Sequence, residues 1–142
     1  MAYRKRIENY LDAGHGACWL AHPEIAQIFQ ADLLYYENQR YRLHAWVIMP
    51  NHVHLLLVTI EPFSLSMIIK DLKSITARKI NHYLKRTGKV WQEEYWDRYI
   101  RDEAHYNNAV SYIRENPVKA RLVKQSGEWP WVGYREISSS ND

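Results

Sequence analysis

Two apolar runs separated by a turn constrain this chain more than any other feature. RYRLHAWVIM (residues 40–49) and HVHLLLVTI (residues 52–60) flank Pro50-Asn51. Both are rich in β-branched residues, leucine and aromatics, which suit strands, and Pro-Asn marks a tight connection. The pair therefore reads as an antiparallel hairpin. The second run is apolar on both faces, so it belongs in the middle of a sheet covered on each side. A covered sheet needs helices, and the rest of the chain supplies them.

Residues 3–12 read as a short polar helix stopped by Gly14 and Gly16. Pro23 opens a helix with Ile25, Ile28, Phe29, Leu33 and Leu34 at helical spacing. The longest helix spans about residues 64–86, with Ser64 as N-cap, Gly88 as its stop, and Leu65, Ile68, Ile69, Leu72, Ile75, Ile80, Tyr83 and Leu84 in its apolar stripe. VWQEEYWDRYI (90–100) reads as a third strand. A helix from about Glu103 is stopped by Asn116-Pro117. WPWVGY reads as a packing strap, and residues 137–142 as a frayed tail. The expected fold is α+β: a small antiparallel sheet with helices packed on it, in one domain over residues 1–142.

Composition removes several function classes. Cys18 is the single cysteine, so an internal disulfide and any multi-cysteine metal site are excluded. No apolar run approaches the ~20 residues of a membrane span. MAYRKRIENYLDAG is charged where a secretory signal needs an apolar stretch, so a cytoplasmic protein is expected. There is no GxxxxGK[ST] or GxGxxG loop and no GxSxG elbow. The net charge of +3 is slight, but residues 64–87 carry six basic side chains against Asp71 alone. With 11 tyrosines and 6 tryptophans, rings and cations lie close together in the sequence, a combination that suits unpaired nucleic acid.

Two constellations carry chemistry. His52 and His54 are alternate residues of a strand, so both imidazoles share a face about 7 Å apart and suit one divalent ion. The plainer reading is a pair of hydrogen-bonded histidines at a hairpin mouth. Tyr112 and Asn116 stand one helical turn apart at the border between core and water. Their plainer reading is a packing tyrosine and a helix C-cap. His105 and Asn108 share that flank. His105 is a rival ligand that more simply faces solvent.

HAWVIMPNHVHLLL (44–57) resembles the signature of the single-tyrosine HUH transposases of the IS200-like class. GKVWQEEYWDRYIR (88–101) and SYIRENPVKARLV (111–123) extend the resemblance, the last to the Tyr-x-x-x-Asn helix of the REP-associated subgroup. Three motifs in order cover roughly residues 40–134. The resemblance implies a ferredoxin-like sheet of the HUH type. It implies Tyr112 as nucleophile and His52, His54 and Asn116 as ligands of Mg²⁺ or Mn²⁺. It implies a single-stranded DNA substrate beside a hairpin, in REP-like palindromes. Attack by the phenol would leave a 5′-phosphotyrosine and a free 3′-hydroxyl, so rejoining needs no ATP. Lys70, Lys73, Arg78, Arg98 and Arg101 are the expected DNA-backbone contacts. Relatives include swapped dimers and monomers, so both a homodimer and a monomer fit.

One departure stands out. The family opens with a strand, and residues 1–22 read instead as an atypical N-terminal extension, so the expectation is that either the sheet lacks that strand or the native start lies upstream. A relative that only grips DNA hairpins is the second reading. A metal-dependent hydrolase using water is a distant third.

Overall fold

The computed structural model describes residues 6–13, 18–93 and 95–134. The hairpin forms as its sequence requires, with strand β2 (Tyr41–Met49) against β3 (His52–Thr59). Around it the chain supplies β1 (Arg6–Asp12), α1 (Pro23–Tyr35), α2 (Leu65–Leu84), β4 (Tyr95–Tyr99), α3 (Glu103–Lys119) and β5 (Val132–Tyr134). The five strands run β4-β1-β3-β2-β5, with each neighbouring pair antiparallel. The order β4-β1-β3-β2, with α1 and α2 as crossovers, is the ferredoxin-like arrangement. No described helix is long and apolar enough to cross a membrane.

Side-chain alternation divides the sheet into two packed faces. Val53, Leu55 and Leu57 of β3 meet Phe29 and Leu33 of α1 and Ile68, Ile69 and Leu72 of α2. Leu56 points the other way, into a second core with Val110 and Ile113 of α3. His52 and His54 are in phase with Leu56, so the α3 face receives them. Strand β2 serves both cores through a bulge between Leu43 and Ala45. Tyr41 and Leu43 enter the α1/α2 core, and after the bulge Ile48 does so as well, although its parity has changed. The extra residue, His44, meets the Tyr106 hydroxyl of α3 at 2.7 Å.

The first seven described residues correct an expectation. Residues 3–12 read as a helix, yet Arg6–Asp12 is a strand between β3 and β4, inside the sheet. The strand is therefore not missing, and residues 1–22 are not a mere extension. Its polar residues hid it. Ile7 and Leu11 are buried as a strand requires, while Arg6 and Glu8 are buried on partners from α3. The Arg6 guanidinium lies 4.4 Å from the Tyr106 ring centroid, and Glu8 accepts from His105.

Other boundaries also moved. Helix α2 has its Ser64 cap, accepting from the Met67 N–H at 3.2 Å, but it ends at Leu84 on a left-handed Lys85, before Gly88. Strand β4 is shorter than residues 90–100. Val90 and Trp91 instead plug the core, Trp91 donating to the Thr76 hydroxyl at 2.9 Å. Helix α3 continues through Pro117 to Lys119, because the Ala120 N–H closes its last turn on the Asn116 carbonyl. The 137–142 tail lies outside the described residues.

The WPWVGY strap contains β5. Trp129 donates to the Ile48 carbonyl at 3.1 Å, and the Ile48 N–H donates to the Trp131 carbonyl at 2.9 Å. Gly133 pairs with Trp46, and a Cβ there would overlap the indole. Trp46 cannot turn away freely, since its Nε1 donates to Gln30 at 3.1 Å. Gly133→Ala is expected to cost about 1–3 kcal/mol by overpacking, read as a lowered midpoint in urea.

Candidate active site

The α3 face of the sheet carries a row of paired residues. Trp96 of β4 lies opposite Tyr10 of β1, and Tyr10 opposite His54 of β3. Helix α3 passes over this row and brings His105, Asn108, Ser111, Tyr112 and Lys119 to it. Together with Glu8 and Arg98 they line a cleft of about 760 Å³.

Tyr112 and His54 meet in that cleft, with ring centroids 5.7 Å apart. Tyr112 is 47% exposed, so its hydroxyl is within reach of a bound molecule. The Lys119 ammonium lies 5.5 Å from the Tyr112 ring centroid. It stands seven residues on, two helical turns along the same face, and reaches the cleft only because α3 runs past Pro117.

His52 stacks on Tyr10 at 4.5 Å and 13°. Its Nδ1 hydrogen-bonds to the Asn51 side-chain oxygen at 2.9 Å, which places the proton on Nδ1 and leaves Nε2 as the lone-pair nitrogen. Burial, helped by His54 and opposed by Asp12, pushes its pKa down to about 4. His52 is thus neutral, as a ligand must be. His54 is 4% exposed, and neither of its ring nitrogens has a hydrogen-bond partner. Its Nε2 lies 3.4 Å from a Glu8 oxygen, within ion-pair distance but outside hydrogen-bond geometry.

A buried imidazole with an unused nitrogen, beside a neutral second one with its tautomer fixed, is a donor set that fits a divalent ion. Among the described residues, no three His, Cys, Asp or Glu side chains gather so as to hold one. A third donor would therefore be of another type. Asn116 offers an amide oxygen and is buried one turn beyond Tyr112, although the cleft wall is built without it.

Glu8, Lys119 and Tyr10 emerge only from the structure, which also gives His105 a different role from the ligand the sequence offered. Glu8 is 3% exposed and accepts from His105 Nε2 at 2.9 Å, with Arg98 at 3.6 Å. Burial raises its pKa, but His54, Arg98 and His105 more than offset this and hold the carboxyl below its ordinary value. His105 is not at the solvent face as expected. It is 8% exposed, and its Nδ1 accepts from the Arg101 backbone, so Nε2 carries the proton given to Glu8. The only sequence signal for it was its shared flank with Tyr112. Asp102, the α3 N-cap, accepts from the His105 N–H at 2.8 Å and fixes the start of that helix.

The expected DNA contacts divide between the two faces. Arg98 lines the cleft, and Arg101 is exposed just before α3. Lys70, Lys73 and Arg78 lie on α2, across the sheet from it. Lys73 is engaged, donating to the Gln92 carbonyl at 2.7 Å and the Glu93 carbonyl at 3.3 Å. Burial and the nearby Lys89 lower its pKa, against Glu93.

The class is thus set by a ferredoxin-like sheet whose His54 meets a helix-borne tyrosine. The comparisons agree with the geometry. The sequence model described as "Transposase IS200 like" matches residues 23–116, and the chain belongs to that family. Within it, the similarity is to REP-associated tyrosine transposases. The protein of that name from Escherichia coli (strain K12) is 30% identical over 96 residues, covering 66% of this chain and 54% of the relative. A Haemophilus influenzae relative, provisionally given the same name, is 29% identical over 108 residues, covering 69% of this chain and 61% of its own length. The chain thus spans little more than half the length of these curated relatives. A solved REP-associated tyrosine transposase, bound to a REP hairpin, superposes with a TM-score of 0.75 at 23% identity, over 99% of this chain and 87% of that one. That likeness establishes the fold.

Proposed function

We propose that this chain cuts and rejoins single-stranded DNA beside a hairpin, as a transposase with Tyr112 as nucleophile. The observation that carries the reading is the meeting of Tyr112 with His54 in one cationic cleft, from opposite layers of the fold. Family membership and the hairpin bound by the solved relative support the substrate class.

The Tyr112 oxygen would attack the scissile phosphorus. A P–O bond forms to the phenol oxygen as the bond to the 3′ oxygen breaks. The phenol loses its proton and the departing 3′ oxygen gains one. The product is a 5′-phosphotyrosine and a 3′-hydroxyl, and a strand's 3′-hydroxyl reverses the step. His52 and His54, with Asn116 as third donor, would hold Mg²⁺ or Mn²⁺, mixed N/O ligation favouring Mn²⁺. Bound there, the ion would polarise the phosphate and offset charge in the transition state. Arg98 and Lys119 hold the strand from either wall, and Glu8 keeps His105 and Arg98 in place.

A hairpin-binding protein without chemistry is the second reading, favoured by the cleft wall that omits Asn116. The two separate in one experiment. With Mn²⁺ and hairpin-bearing single strands, the transposase reading expects an adduct resistant to denaturant and abolished by chelator. Salt-sensitive binding without an adduct, indifferent to chelator, would establish the second reading instead.

A further inference from the structure

Trp96 has no role in the chemistry above, yet it lines the cleft, at the edge-strand end of the row it forms with Tyr10 and His54. It is 43% exposed, although two rings and a guanidinium stand against it. Tyr10 meets it edge-to-face at 6.4 Å and 82°, and His54 at 6.3 Å and 80°. The Arg98 guanidinium carbon lies 5.0 Å from its ring centroid and is itself drawn towards Glu8. The indole is thus held in orientation on several sides while a large part of it stays open to the cleft. Strand pairing makes that orientation a property of the sheet, since Trp96, Tyr10 and His54 occupy one cross-strand row.

A flat apolar surface in a cavity lined by Arg98 and Lys119 selects a flat ligand with negative charge on its edges. A nucleotide is such a ligand. The base must be unpaired, because a base inside a duplex has both faces covered by its neighbours. The short distance from Trp96 to His54 places that base next to the reacting phosphate. Resting on the function proposed above, we infer that Trp96 is the stacking platform for one unpaired base beside the scissile phosphate, with Arg98 and Lys119 on the flanking phosphates. Preference for single strands then arises at the site of cleavage and not only at the hairpin.

The test uses binding alone. A single-stranded oligonucleotide with one hairpin stem and an unpaired tract on each side is titrated in the presence of chelator, so that no cleavage contributes. Each unpaired position is replaced in turn by an abasic sugar. In the unmodified chain, one position should stand out, weakening binding by roughly 5- to 100-fold. Trp96→Leu keeps apolar bulk on β4 but removes the flat face, and should show a similar loss. Trp96→Phe should retain most of the affinity. In Trp96→Leu, the abasic change at the standout position should cost nothing further, a coupling that a merely structural role would not produce.

A flat abasic scan in the unmodified chain overturns the platform, and needs no variant to fold. Equal losses in the Leu and Phe variants, or full additivity with the abasic change, overturn it as well. Failure of the unmodified chain to bind the oligonucleotide overturns the DNA reading itself, which separates that failure from one confined to Trp96.

Discussion

Tyr112→Phe is expected to form no covalent adduct with a hairpin-bearing single strand while binding it almost unchanged. The substitution removes one oxygen and leaves the ring packed against His54 and beside Lys119. The side chain is half exposed, so its removal leaves no buried polar group without a partner. Cleavage should fall by at least about a thousandfold, as expected when a nucleophile is deleted. The measurement is a denaturing gel of labelled oligonucleotide with Mn²⁺. Ser111 and Tyr10 also carry hydroxyls on the cleft wall. An adduct that persists in the Phe variant and maps to either would replace Tyr112 in the mechanism.

His54→Ala is expected to produce the second large loss, this time in ion binding. His54 is the buried imidazole whose ring nitrogens have no hydrogen-bond partner. Weakening of Mn²⁺ binding by more than about 100-fold is expected, since even residues behind a ligand change affinity by 10–100-fold. Paramagnetic resonance titration of free Mn²⁺ reads this without DNA or turnover. Thermal melting in chelator shows whether the emptied volume has loosened the sheet. Unchanged Mn²⁺ affinity in a folded variant would remove His54 from the ligand set.

The legible parts of this protein were those written in local pattern. The β2–β3 hairpin announced itself through two apolar runs and a turn, and the period of two put His52 and His54 on one face. Helix α2 was clear from its stripe and its Ser64 cap. Strand β1 was not, because the burial of Glu8 is justified by His105, at the other end of the chain. No local reading can place a carboxylate in a sheet before its partner is known. Lys119 was missed for a different reason. Proline disfavours helix in the residue before it, but within a last turn it forfeits only one hydrogen bond, and α3 accepts that loss. The short β4 reflects competition: Val90 and Trp91 bury more surface as a core plug than as an extension of an edge strand.

The bulge at His44 lets one strand show odd-numbered and then even-numbered residues to the same layer. Forced into strict alternation at its present length, the second half of the strand would turn back to front, sending Trp46 and Ile48 towards α3 and Val47 and Met49 towards the opposite layer. A homologue that lacks the extra residue should therefore keep both faces on a regular strand and forfeit only the contact of His44 with the Tyr106 hydroxyl.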